Sequence, residues 1–210
     1  MDAVTAGHSD IDLMIALLNW VCDNFAHNGN SGVPYDRDII SIINFSKENT
    51  GGLNCRLLAI MLAELLRLYG IEAKHITAHP IEDSFVHVVT HAYSRKYNQW
   101  IMLDPTFRLY LKNGNGNYMD LAELRDSFID NEEIFANNNA GRNGWRFDMN
   151  SYKRFIVDYL FRFSCATNFT FGTEDGRGEN HRNILVPVGF NEQTGDIITT
   201  SANAFWAAPN

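Results

Sequence analysis

Three side chains in this chain could together perform amide chemistry, and they occur in a fixed order: Cys55, His87 and Asp104. Cys55 follows the glycine-bearing stretch Asn49-Thr50-Gly51-Gly52-Leu53-Asn54 and opens a long apolar run. Free N–H groups and the dipole at a helix start favour negative charge. A thiol placed there ionises more readily, and the thiolate is the nucleophile. His87 falls in the alternating stretch Phe85-Val86-His87-Val88-Val89-Thr90-His91. Asp104 closes Gln99-Trp100-Ile101-Met102-Leu103 just before Pro105-Thr106. Such chemistry needs a nucleophile, a base to ionise it, and a group that fixes the base's tautomer and direction. Strand parity puts Phe85, His87, Val89 and His91 on one face, and Trp100, Met102 and Asp104 on one face of the next strand. If those faces coincide, the carboxylate reaches the imidazole. The Cys55 backbone N–H is the natural oxyanion donor. For a second donor, Asn49 and the Trp20 indole are the candidates. Taken singly, Cys55 could equally be a packed core thiol, His87 a strand histidine satisfied by backbone, and Asp104 a turn former.

The elements that must position these groups are legible in part. Ile11, Met14, Leu17, Leu18, Val21 and Phe25 recur at helical spacing, predicting an amphipathic helix from Ser9 to His27 capped by Ser9 or Asp10, with Trp20 and Cys22 as packing residues. Residues 27–34 read as a loop, and a short helix is expected over Asp36 to Phe45 with Asp36 as its cap. The run from about Leu53 to Tyr69 is apolar on most sides, so a buried helix is expected there, stopped by Gly70. Strands follow at about 71–79, 85–93 and 99–104, the last two joined as an antiparallel hairpin. Residues 113–117 form a turn that lacks calcium-loop acids, and Asp120 and Glu123 form a capping box opening a helix to about Ile129. Residues 130–150 read as a long surface loop or a lid, Ser151 to Phe163 as an aromatic-rich helix, Ile184 to Val188 as a strand, and 190–210 as a strand or tail. His75/His79 and His87/His91 have metal-like spacing for a helix, but in strands residues four apart are about 13 Å apart. No metal and no cofactor is expected; His75, His79 and His91 are expected to be satisfied by backbone or exposed.

This order of residues resembles the transglutaminase-like superfamily, a branch of the papain-like cysteine enzymes. The family pattern is Cys opening a helix that ends in Gly-Ile, then His-Val in a strand, then Trp-x-x-x-Asp-Pro-Thr. Here these positions read Cys55, Gly70-Ile71, His87-Val88, and Trp100 to Asp104-Pro105-Thr106. Where the family usually has Gly-x-Cys or Gly-Gln-Cys, Leu53-Asn54-Cys55 stands here, with the glycines one residue further back. The resemblance implies an α+β fold with a papain-like core: a central buried helix packed on an antiparallel sheet, with N-terminal helices and a C-terminal extension. It also implies a thioester acyl-enzyme at Cys55, resolved by water (protease, amidase, deamidase) or by an amine (transglutaminase). Two rivals stand beside this: a catalytically silent peptide- or glycan-binding module on the same core, and a glycan amidase of the peptide N-glycanase type, against which the lack of CxxC pairs argues.

Bulk composition fits that expectation. The 210 residues suit one domain spanning 1–210, with the motif-bearing core at about 50–110 and the extension at about 150–210. Hydrophobic residues at 45% supply a core, and a net charge of −8 speaks against a nucleic-acid surface. The three cysteines, Cys22, Cys55 and Cys165, cannot all pair with one another. Neither a signal peptide nor an apolar run of about 20 residues is evident, so a cytoplasmic setting with no membrane partner is the expectation, while the resemblance implies a peptide or protein substrate.

Overall fold

A computed structural model of the chain describes residues 9–82, 85–167, 181–190 and 196–209. Three helices come first. Helix α1 (Asp10–Asn24) is capped by Ser9, whose hydroxyl accepts from the Asp12 N–H while Asp12 reaches back to the Ser9 N–H. Its buried stripe is Ile11, Met14, Leu18 and Val21. Helix α2 (Ile39–Glu48) is capped by Asp38 and not by Asp36. Asp38 takes the N–H groups of Ile40 and Ser41, and the Ile39 N–H goes to the buried Glu64 carboxylate at 2.6 Å. That buried acid sits in the second half of the next helix, so the start of α2 is tied to the body of α3 by one strong bond.

Helix α3 (Cys55–Leu68) is the central element, with Leu57 through Glu64 all buried. Asn54 caps it by accepting the Leu57 N–H at 3.1 Å. It ends in a Schellman turn: Gly70 adopts a φ of 78°, and the Ile71 N–H returns to the Leu66 carbonyl at 3.0 Å.

Strands β1 (Ala73–His79), β2 (His87–Ser94) and β3 (Gln99–Leu103) form the expected hairpin array. Strand β4 (Leu111–Asn113) and helix α4 (Leu121–Asp130) follow, the helix opened by the Asp120–Glu123 capping box. Within 134–146, β5 (Ile134–Ala136) pairs with β4, and β6 (Gly141–Arg142) pairs with β7 (Trp145–Arg146) around an Asn143-Gly144 turn. Both turn residues have positive φ, 51° and 84°, as a two-residue hairpin requires.

The helix expected over Ser151 to Phe163 is shorter than its pattern. Helix α5 (Met149–Ile156) ends in a 3-10 turn over Val157–Tyr159, and Arg162–Ala166 is strand β8. Arg162, Phe163 and Ser164 there pair with His79, Ala78 and Thr77 of β1, and pairing outweighs local helical spacing. Strands β9 (Arg182–Leu185) and β10 (Ile197–Thr199) and helix α6 (Ala202–Phe205) complete the chain. Part of the polar stretch after 164 and of the tail lies outside the described residues, as does Ser84 before β2.

The main sheet runs β10-β9-β8-β1-β2-β3, antiparallel except for β10 beside β9. This is an α+β arrangement with the papain-like plan that the sequence implies. One face carries Ala73, Ala92, Ile101 and Leu103 against α3 and α1. The other carries Ile76, Val89, Met102, Phe163 and Leu185 beneath residues of α4 and α5 and Phe205. Among the described residues no helix is long and apolar enough to cross a membrane.

Candidate active site

The start of α3 is held by the loop before it. Residues 26–28 lie beside 52–54: the Leu53 N–H donates to the Ala26 carbonyl at 2.9 Å, and the Asn28 N–H to the Leu53 carbonyl at 2.7 Å. Gly52 has a φ of 99°, and a Cβ there would stand 2.5 Å from the Ala26 oxygen, so the close approach requires glycine. This short parallel contact brings His27 opposite Leu53.

Cys55 is half-buried, and the side chains of His27 and His87 and the Val88 N–H lie near enough to its thiol to favour the ionised form. Burial opposes its ionisation, but these donors and the His87 charge outweigh burial and draw the thiol down to about 6. His87 begins β2 and is buried, its ring edge-on to Phe155 at 5.1 Å and to Phe107 at 6.2 Å, with Tyr159 at 6.2 Å. Its Nε2 meets Asp104 Oδ2 at 2.8 Å. That leaves Nδ1 for the thiol. Burial alone would discharge this ring; the Asp104 charge and hydrogen bond, then Cys55, push it up to about 10.

Asp104 is fully buried just after β3. The register Tyr93 to Trp100 and His91 to Met102 puts His87 and Asp104 on the same face. Its carboxylate accepts the Thr106 N–H at 2.9 Å on Oδ1, and the Tyr152 hydroxyl at 3.3 Å on Oδ2. The Asp104 N–H and carbonyl both bond Leu109, at 2.8 and 3.0 Å, which fixes the turn. The Tyr152 hydroxyl stays protonated far into alkali, because of burial and then the Asp104 charge.

The structure therefore brings Cys55, His87 and Asp104 together, with His87 bonded to Asp104. It adds His27 and Tyr152, for which sequence reasoning had no place. Of the two candidate second donors, Asn49 caps α2, its amide donating to the Phe45 carbonyl at 3.0 Å, and the Trp20 ring lies edge-on to Phe25 at 5.8 Å. His79 and His91 differ from expectation too. His75, His79 and His91 are all buried, because β1 and β2 lie in the middle of the sheet. His79 Nε2 bonds the Ser164 hydroxyl at 2.8 Å instead of backbone, and neither ring nitrogen of His91 has a hydrogen-bond partner. Cys22 gives its S–H to the Pro105 carbonyl, and burial pushes it up to about 12. Among the described residues no three His, Cys, Asp or Glu side chains gather as a metal-binding group.

Two clefts of about 710 Å³ flank the row. Cys55 lines neither, but each is bordered by a residue beside the reactive pair. The first is polar and includes His27, Asp23, Arg108, Arg142, Asn143 and Trp145. The second is largely apolar and includes Ile81, Phe85, Phe128, Ile129, Val157 and Tyr159.

Residues 2–105 match the family model of the transglutaminase-like superfamily. Over those residues the chain is similar to the transglutaminase-like superfamily. The superfamily segment holds Cys55, His87 and Asp104 and stops one residue beyond the last, so Asn143, Tyr152 and the phenyl cover of His87 lie outside it. No curated protein matches the chain. A solved structure from Cytophaga hutchinsonii, described as a candidate cysteine protease, is similar at 19% identity with a TM-score of 0.36. The overlap covers 64% of this chain and 46% of that one. This chain thus spans less than half of that protein's length, and at that TM-score the overlap carries no functional weight.

Proposed function

We propose that the chain is a cysteine-dependent acyl-transfer enzyme acting on amide bonds of peptides or proteins. Cys55 is the nucleophile, His87 the acid–base, and Asp104 the group that orients and charges His87. The observation that carries this is the 2.8 Å bond from His87 Nε2 to the buried Asp104, with the Cys55 thiol beside the same ring. The reading takes residues 1–210 as one domain, because strands from both halves share one sheet.

The resting pair is a thiolate beside an imidazolium. The thiolate attacks the amide carbonyl carbon, forming the S–C bond and placing the electron pair on oxygen. Collapse breaks the C–N bond, and His87 gives its Nδ1 proton to the leaving amine. The thioester is then attacked by water or by an amine, and His87 takes the proton back. Throughout, Nε2–H stays on Asp104, which is why the ring cannot turn away. Tyr152 and the Thr106 N–H hold the carboxylate from the other side.

The test is hydrolysis of a peptide library, together with ammonia release from glutamine peptides, by the wild type and Cys55→Ala. Removing the nucleophile is expected to cost several orders of magnitude in kcat. Turnover that survives Cys55→Ala would end the proposal.

A further inference from the structure

Two histidines reach the Cys55 thiol, and the reaction above employs one. His87 has no donor to spare: Nε2 is held by Asp104, and the other side of the ring serves sulfur. The Val88 N–H also lies near the sulfur. Yet attack on a carbonyl creates an oxygen anion beside sulfur, and that charge needs donors of its own. The Cys55 backbone N–H, at the first turn of α3, supplies one.

We propose that His27 is a further catalytic residue whose ring N–H donates to the oxyanion formed on Cys55. The proposal rests on Cys55 being the nucleophile. Three features support it. The bridge between His27 and Leu53 sets the ring beside the start of α3, and it stands near enough to the sulfur to favour its thiolate. Unlike the buried His87, it is half-exposed and lines the polar cleft, so a substrate meets it directly.

Its backbone is also clamped, which is the third feature. The His27 N–H donates to Asn143 Oδ1 at 2.9 Å, and its carbonyl accepts from Asn143 Nδ2 at 2.8 Å. Leu53 stands opposite on the other strand. A clamped donor needs no reorganisation when charge develops, and that is what an oxyanion site requires. Neutral imidazole offers one ring N–H, which is enough. The proton stays on His27 throughout; its hydrogen bond goes to the oxygen.

Two reactions of the same thiol separate this role from simple thiol activation. p-Nitrophenyl acetate acetylates Cys55 through an oxyanion: an S–C bond forms, the bond between the acyl carbon and the ester oxygen breaks, and p-nitrophenolate leaves with the electron pair. Iodoacetamide alkylates the same sulfur by displacing iodide, with no oxyanion. In His27→Ala the acetylation rate is expected to fall about 100-fold, while alkylation falls less than tenfold. His27→Gln retains an N–H donor and should recover most of the acetylation rate. Equal losses in the two reactions, or no loss in either, overturn the role of His27. A wild type whose Cys55 is never acetylated, or a Cys55→Ala variant that releases phenolate as fast, instead overturns the nucleophile and this inference with it.

Discussion

The same sheet face builds a thiol, an imidazole and a charged neighbour twice. At one end stand Cys55, His87 and Asp104. Nearer β8 stand Cys165, His91 and Lys74, with Lys74 and His91 directly paired across β1 and β2. The outcomes are opposite. Cys55 is drawn down to about 6. Cys165 is raised by burial, and neither Lys74 nor Asn183 offsets that. His87 is pushed up to about 10, whereas His91 is driven far down by burial and then by Lys74. Burial is the largest influence on all four groups and resists charge in each. What differs is a buried carboxylate with its own donors. Asp104 charges its histidine; His91 has only the flat Trp206 ring, stacked at 4.5 Å. Lys74 is itself lowered by burial, and it sits 4.3 Å over Trp100 with its ammonium on the Phe205 carbonyl. Thiol, imidazole and cation together do not make a reactive sulfur; an acid that pays for the imidazolium does.

The contrast can be broken most strongly at the sulfurs. Cys55→Ala should abolish amide turnover by several orders of magnitude, while Cys165→Ala should leave it within about twofold. In a limited iodoacetamide reaction at pH 6, peptide mapping should find Cys55 labelled ahead of Cys22 and Cys165. Early label on Cys165 would erase the distinction between the two regions.

Next in size is Asp104→Asn, which makes the first site resemble the second. The imidazolium is then no longer held, so turnover should fall about 10³-fold. The pH dependence should move with a definite sign. In the wild type, Cys55 alkylation rises as pH passes about 6 and then stays flat, because the thiolate is present above its lowered value. Acyl transfer also needs the imidazolium, so it declines only as pH approaches about 10. In Asp104→Asn, the alkylation rise should shift towards higher pH and the alkaline decline towards lower pH, narrowing the window from both sides. An unchanged profile would show that Asp104 does not charge His87.

Smaller still is Tyr152→Phe. It removes a 3.3 Å hydrogen bond to Asp104 without changing the ring cluster. A loss of about tenfold or less in turnover is expected, with the alkaline decline moving slightly up, because a carboxylate with one donor fewer holds the imidazolium more tightly. Smallest is His91→Leu. Both ring nitrogens of His91 are buried without partners, and unmade bonds of that kind are costly. Calorimetry should find Tm unchanged or raised, and turnover untouched.

The legible part of the site was the part with local signals. Cys55 stands where a loop becomes an apolar helix, and His87 and Asp104 show themselves by period-two alternation and a strand end. His27 has none of these. It lies in a loop and meets Cys55 only through the isolated bridge to Leu53, a contact that leaves no periodic trace. Asn143-Gly144 is a hairpin turn in its own right, but the strands around it are two residues each, so alternation could not announce them. The fold fails to show in the sequence at similar places. Arg162–Ala166 reads as more of α5 until β1 is known to lie beside it. Asp38 outdoes Asp36 as a cap because Glu64, far along the chain, takes the first N–H of α2.

The roof over His87 has a consequence in time. Phe107, Phe155 and Tyr159 close on its ring, and Tyr152 closes on Asp104 from 48 positions further on. A ribosome makes roughly 5–20 residues per second, so Tyr152 is added about 2–10 s after Asp104. During that interval the acid and the imidazole lie open to water, where their mutual attraction is weak. On the proposed role, the sulfur is made as an ordinary thiol and gains its reactivity only after the residues that cover His87 and Asp104 have been added.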